Sequence, residues 1–466
     1  MQVSVISGIS ADETGDFRTA MPRNLIPVPK QNGVSNGYLR PADGIVQFAV
    51  GTGADRGGIN WNGACYRVMG FNLIRIASNG AVTIIGDVGD GGPVSFDYSF
   101  DLLAIASGRK LYYWNGSGMN QVVDPDLRAC LDVIWADGYF LSTDGEYLVV
   151  TELNDPTTIS TLKYGSAEAD SDPILGLLKL NGRPHALGRY SIEQFANVGG
   201  SNFPFERVEG ALIQRGVIGT HAACVFAEQI AFVGSGHNEP PAVWIGANGA
   251  TNKLSTREID TLLQEYSESQ LATVKLEARV EKSHQQLYIH LPDMCLVYDH
   301  GASQAIGEPV WAVLTSGSSE RGTYRARDFV WCYDRWICGD PTSNLIGTFS
   351  NDTGEHYGQK TGWQFATPIL YNEGRGLILH RLELVSLPGR VPLGADPVVY
   401  TQYTLDGETW SQPVPCKAGR QGERNARLTW LRQGSMRNWR AQRFIGTSDA
   451  HVSFARLEVQ GEPLNA

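Results

Sequence analysis

Charge is scarce in this sequence and basic charge scarcer still: charged residues make up 19% of the 466 positions, with 38 Lys and Arg against 49 Asp and Glu, for a formal net charge of -11. A protein that gains affinity by neutralising phosphates carries the opposite balance, which argues against sequence-specific nucleic-acid recognition. A wall along which DNA slides is compatible with it, since such a surface should repel phosphates. Cysteine offers no framework either. The seven thiols (Cys65, Cys130, Cys224, Cys295, Cys332, Cys338, Cys416) are odd in number and scattered, which points to reduced side chains in a chain folded in the cytosol. No run approaches the roughly 18 uninterrupted apolar residues of a membrane span. Met1 to Ser10 lacks a basic segment ahead of an apolar core, so no signal peptide is expected. Nucleophile elbow, phosphate loop and zincin helix are all missing, and no cofactor is implied.

What is abundant is turn chemistry: 53 Gly, 22 Pro and 10% aromatic residues describe many short strands joined tightly. The length requires two or more domains or one large closed β architecture. From about Gly63 to Phe349, alternating segments end in Gly, Asn and Asp: Cys65 to Ile76 before Ser78-Asn79-Gly80, Leu102 to Trp114 before Asn115-Gly116, and Val133 to Val150 around Asp137-Gly138 and Asp144-Gly145. Such units return about every 30 to 55 residues, near the spacing of propeller blades. The expected fold is all-β, a degenerate β-propeller of about six or seven blades over 46-360, with two packed sandwiches as the alternative. A small helical insertion is expected near 255-275, where Ile259, Leu262, Leu263 and Tyr266 share a helical face and Ser267 to Gln270 reads as a capping box. Its plain role is packing on the propeller rim. Over 361-466 the segments Phe365 to Tyr371, Leu377 to Leu387, Val398 to Thr404, Arg427 to Leu431 and Val452 to Val459 read as a C-terminal β-sandwich. Residues 1-45, with Pro27, Pro29 and Pro41, read as an extended N-terminal arm.

Few side chains suggest chemistry. Thr404, Asp406, Gly407, Thr409 and Trp410 resemble an Asp-box turn, a structural hairpin. His290, Cys295 and His300 could in principle ligate a metal, but in one strand from Gln286 to Tyr298 the first two would point to opposite faces. No metal is therefore expected. Cys332 and Cys338 flank a turn and read as packed thiols that could be cross-strand neighbours. The feature that stands out is a basic series, Arg420, Arg424, Arg427, Arg432, Arg437, Arg440 and Arg443, with Trp430 and Trp439 interleaved, in an otherwise acidic chain. Arginine with tryptophan is the composition of interface hot spots, which makes these residues docking candidates beside the plainer reading of a solvated, ion-paired face. Asp87, Asp90, Asp97 and Asp101 form an acidic cluster that would suit a channel-facing wall, although such runs are usually solvated loops.

A colinear set of short segments resembles one known family. These are Gly37-Tyr38-Leu39-Arg40 with Gly44-Ile45, Ala64-Cys65-Tyr66-Arg67-Val68, Gly86-Asp87-Val88, Thr151-Glu152-Leu153, Ile213-Gln214-Arg215-Gly216-Val217, Glu258-Ile259 to Tyr266, His290-Leu291-Pro292, Leu296-Val297-Tyr298-Asp299 and Cys338-Gly339-Asp340. In that order they are similar to the tail hub, or packaged-DNA stabilisation, proteins of Salmonella-type short-tailed bacteriophages. The resemblance implies a non-enzymatic homohexamer of the virion tail, assembled in the host bacterial cytoplasm beneath the portal and its head-completion adaptor. It also implies that the ring closes the DNA exit channel without reading sequence, anchors tailspikes and a tail needle, and involves no membrane in the assembled state. Competing readings from the residues are a propeller-type virion glycosidase, which needs carboxylates converging at one end of the axis, and a carbohydrate-binding receptor-recognition protein, which needs exposed aromatics gathered on one face.

Overall fold

The alternation of short apolar segments with left-handed turns builds the first architecture. Asn62 and Gly63, at φ 50° and 73°, and Asp137 and Gly138, at 51° and 90°, adopt the positive φ values that two-residue hairpins require. Tyr333 and Asp334 adopt 56° and 55° with no glycine at all. In a computed structural model describing residues 1–11, 16–30, 33–153, 155–200, 202–282 and 284–464, these hairpins form seven antiparallel blades. They span 55–87, 95–121, 132–165, 174–207, 216–253, 275–314 and 327–350.

The inner strands meet one after another around an axis, and the last, Arg327–Cys332, contacts the first, Asp55–Trp61, so the ring is closed. Blade 5 has a divided inner strand, Gly216–Val217 and Ala223–Phe226, both paired to Gln229–Ser235. The outer strand of blade 7 comes from the other end of the domain: Gly44–Val50 pairs antiparallel with Leu345–Ser350. One seam is charged. Arg67, fully buried in blade 1, forks onto Asp55 at 2.8 and 2.7 Å and donates to the backbone oxygen of Asp328 in blade 7 at 2.9 Å.

The helical insertion is α1 (Arg257–Gln264) and α2 (Glu268–Leu271), with Ile259, Leu263 and Leu271 buried against the propeller. The Ser267–Gln270 capping box is present in both directions. A third helix, α3 (His300–Ile306), lies inside blade 6, capped by Asp299 accepting from the Ala302 N–H at 2.9 Å and ended by Gly307 at φ 84°. Among the described residues no helix is long and apolar enough to cross a membrane.

The second body is a sandwich of two antiparallel sheets. One contains Gly362–Ala366, Trp439–Thr447, Val398–Thr404 and Val414–Lys417. The other runs Leu25–Pro29, Gly37–Pro41, Phe454–Glu462, Leu377–Ser386 and Leu428–Leu431, with Gln2–Ser4 also on Phe454–Glu462. Between them Trp363, Phe365, Phe444 and Phe454 are buried, with the Trp363–Phe454 and Phe365–Phe444 ring centroids 4.9 and 5.2 Å apart.

This corrects the expectation for residues 1–45. The segment is extended, as its prolines demand, but it is not a free arm: it contributes three strands and the buried side chains Val3, Val5, Leu25 and Leu39 to the sandwich. Pro27 and Pro29 sit in the edge strand, where a missing N–H costs no ladder bond. Residues 22–24 then splice the two bodies. Val313 of blade 6 donates to the Pro22 carbonyl at 2.9 Å and accepts from the Asn24 N–H at 2.8 Å, while Arg23 and Gln364 exchange backbone bonds of 2.8 and 3.2 Å.

Candidate docking surfaces and axial tunnel

The arginine series divides between connecting segments and one strand. Arg420, Arg424, Arg427, Arg432 and Arg437 are exposed on the sandwich. Arg427 is held by Glu383 at 2.7 and 2.5 Å, and Arg420 lies 3.3 Å from Asp396. Arg443 is half-buried over Trp410, 4.1 Å from the ring centroid, and donates to the Gln402 side-chain Oε1 at 2.7 Å. Trp439 makes an edge contact with Phe17, with centroids 6.1 Å apart.

Two candidates are corrected. Trp430 is a core residue against Phe444, its indole N–H donating to the Val414 carbonyl at 3.0 Å. Arg440 is 0% exposed, stacked 3.8 Å over Tyr403 and bonded to Gln442 and to the Gln433 carbonyl; burial lowers its pKa to about 10. In Trp439–Thr447 the residues 440, 442 and 444 all turn toward the core, which takes Arg440 off the surface, and Trp430 is likewise buried in Leu428–Leu431.

The four aspartates do not form one wall. Asp87 ends the outer strand of blade 1, Asp90 lies in the crossover to blade 2, and Asp101 lies in the turn after Ser95–Tyr98; all three are exposed. Asp87 and Asp90 accept from nearby backbone N–H groups, at 2.6 and 2.7 Å. Asp97 is corrected. It sits on an inner strand, 2.8 Å from Lys179 and accepting from the Trp135 N–H at 2.7 Å, inside the propeller's own axis.

That axis is a tunnel of about 340 Å³ lined from all seven inner strands, including Gly58, Asp97, Asp132, Lys179, His221, Lys275 and Asp328. Its carboxylates clamp successive blades. Asp97 of blade 2 holds Trp135 of blade 3, and Asp132 of blade 3 accepts from Leu177 of blade 4 at 2.8 Å. Glu277 of blade 6 accepts from Asp328 and Phe329 of blade 7 at 2.8 and 2.6 Å. Sequence reading missed Asp132 and Glu277, because an inner-strand carboxylate looks like any solvated one until the neighbouring blade is in place. A passage this small and filled with paired side chains does not admit a nucleic-acid duplex.

Burial pushes the Asp132 carboxyl up to about 6 despite its N–H bonds to Leu177 and Val133. The sign follows. A raised folded pKa contributes stability that is present below the unfolded value and is lost as pH rises through about 6. We expect the unfolding free energy of the wild type, relative to Asp132→Asn, to improve as pH falls from 7 to 4, by up to about 3 kcal/mol at 1.36 kcal/mol per pKa unit. Parallel urea titrations measure the drift, and a constant difference across that window would count against the buried-carboxylate account.

The other motifs resolve into structure. Asp406 accepts from Thr404 Oγ1 at 2.8 Å and from the N–H groups of Glu408 and Thr409 at 3.0 and 2.8 Å; these bonds, with the Thr409 hydroxyl first, hold its pKa down. The hairpin is thus self-satisfied. His290 and Cys295 were expected on opposite faces; they are instead direct cross-strand partners, because Leu291 to Met294 form a turn that breaks the supposed strand. His290 Nε2 lies 3.1 Å from Glu277, and no group of three or more potential metal ligands occurs among the described residues. Cys332 faces Arg335 and not Cys338, which lies three residues further along that strand, and all seven cysteines are free thiols.

A closed seven-bladed propeller spliced to a β-sandwich through its own N-terminal strands defines the class of molecule. The family model described as "Bacteriophage P22 Gp10, beta-propeller" matches residues 1–354, and "Bacteriophage P22 Gp10, beta-sandwich" matches residues 362–462. The chain belongs to this Gp10 family. Tail hub protein gp10 of Salmonella phage P22 is 26% identical over 458 residues, covering 94% of each chain. Among solved structures, the Neurospora crassa Pan2 WD40 domain aligns with a TM-score of 0.43 at 11% identity, over 66% of this chain and 95% of that one. Kluyveromyces lactis Hsv2 aligns at 0.37 and 8%, over 71% and 95%.

Proposed function

We propose that this chain is a structural tail hub of a short-tailed phage, a ring-forming subunit that docks beneath the portal and its adaptor, closes the DNA exit path and carries tailspikes and a tail needle without catalysing a reaction. The observation that carries the reading is full-length colinearity with the P22 tail hub protein across both domains. Physical features agree with it. Each domain is locked by long-range pairing, which suits a load-bearing part, and a heterologous contact of suitable rotation closes such subunits into a ring. The net charge of -11 suits a surface past which DNA must slide, and Asp87, Asp90 and Asp101 are the exposed members of the acidic set available for it.

The experiment is a native mass measurement of the purified chain alone and mixed with its portal–adaptor complex. A multimeric ring bound to the portal is the expected result. A monomer that never joins the portal would overturn the assignment.

The exposed arginines supply the docking component. Arg424, Arg432 and Arg437 stand out from the sandwich, and replacing all three by Glu is expected to reduce incorporation into reconstituted tails at least tenfold with an unchanged melting temperature. Wild-type incorporation would remove this surface from the assembly interface.

A further inference from the structure

One end of the axial tunnel opens into a funnel of about 450 Å³ that no role described above uses. It lies where the blade-to-blade crossovers and the second turns of the blades converge. Gly92 and Pro93 lead into blade 2, Arg109 is in a turn of that blade, Thr273 precedes blade 6, and Thr323 and Arg327 precede or open blade 7. Thr220 and His221 line both funnel and tunnel, so the two are continuous.

The funnel's charge is opposite to that of the molecule. Its lining includes the charged Arg109 and Arg327 and no Asp or Glu, with His221 and His290 kept neutral by burial, in a chain of net charge -11. Of the nearby carboxylates, Asp328 pairs with Lys275 and also acts on the Arg327 charge, Glu277 lies 3.1 Å from His290 of the lining, and Asp340 pairs with Arg325 at 2.6 Å. Arg109 is exposed in a left-handed turn at φ 64° and makes no ion pair among the described residues. Arg327 is tethered by Nη2 to the Thr273 carbonyl at 3.5 Å, and its Nε is buried without a hydrogen-bond partner among those residues. A buried guanidinium nitrogen left unbonded is costly, and a guanidinium fork is matched best by two oxygens of one anion.

We propose that this funnel is a binding site for a small molecule carrying an oxyanion, phosphate or carboxylate, held between Arg109 and Arg327, with the hydroxyls of Thr220, Thr273 and Thr323 available to its remaining oxygens. The volume falls within the ordinary range of small-ligand pockets, and the site lies at an axial mouth, where a ring of loops can converge on one ligand.

Calorimetric titration of the full chain at low salt, with pyrophosphate in one arm and citrate in the other, tests the assignment. The expected result is saturable binding of one equivalent per chain in at least one arm, weakened tenfold or more in Arg109→Gln and in Arg327→Gln. Saturation with pyrophosphate alone specifies a phosphate ligand, and with citrate alone a carboxylate. Arg109→Gln alters only an exposed turn residue, so its binding is decisive even if Arg327→Gln melts early. No saturable heat in either arm, or wild-type affinity in Arg109→Gln, would overturn the site.

Discussion

Deletion of residues 1–43 is expected to unfold the C-terminal sandwich while leaving the propeller closed. The deletion removes Gln2–Ser4, Leu25–Pro29 and Gly37–Pro41, stripping one sheet of three strands and leaving the backbone of Phe454–Glu462 unpaired along one edge. It also withdraws Val3, Val5, Leu25 and Leu39, which are 6%, 1%, 0% and 0% exposed, from around Trp363 and Phe454. Burying a large aliphatic side chain contributes about 1.5–3 kcal/mol, so four together contribute roughly 6–12 kcal/mol as an upper figure. That equals most or all of a typical domain's net stability of about 5–15 kcal/mol. Gly44–Val50 survives the cut, so the outer strand of blade 7 and the ring closure are retained. Limited proteolysis followed by mass spectrometry should show cleavage throughout 362–462 and a resistant core below residue 355. A truncated chain whose sandwich resists protease like the wild type would contradict the pairing described here.

The second large effect is expected at the seam between blades 7 and 1. Arg67→Met removes a guanidinium that is fully buried, together with its fork on Asp55 and its bond to the Asp328 carbonyl. Asp55, whose carboxyl burial already pushes up to about 7, loses its guanidinium partner in a dry site; breaking a buried pair in this way costs about 3–5 kcal/mol. The loss should be local as well as large, with hydrogen exchange accelerating first in Asp55–Trp61 and Arg327–Cys332, the strands whose contact closes the ring. Combining Arg67→Met with Asp55→Leu should recover much of the loss, since a well-packed apolar pair can replace an ion pair at little net cost. A single variant within about 1 kcal/mol of wild type in chemical denaturation would show that the seam does not depend on the pair.

The propeller was readable because each blade carries its own instructions: alternation within strands and Asn-Gly or Asp-Gly at turns are local. The blade count was less readable. Blade 5 divides its inner strand, the Tyr333-Asp334 turn lacks glycine, and the closing strand pairs Val50 with Leu345 across most of the domain. The N-terminal segment misled for the same reason, since its partners at 454–462 lie at the far end of the sequence and its edge prolines imitate an unpaired arm. Helix α3 escaped notice although Asp299 and Gly307 are suitable cap residues, because seven residues give too little periodicity. At the surfaces, parity was the overlooked signal. Arg440 shares its face with Gln442 and Phe444, and Pro292-Asp293 marks the turn that brings His290 opposite Cys295.

The splice formed by the first fifty residues also sets an order of events during synthesis. Gln2–Ser4 waits for Arg456–Glu458, and Gly44–Val50 waits for Leu345–Ser350, before either can pair. A nascent chain therefore cannot close the propeller until residue 350 has emerged, and it holds Gln2–Ser4 unpaired until nearly the whole sequence is made. A partly made chain thus lacks the finished sandwich surface until its last strands are translated.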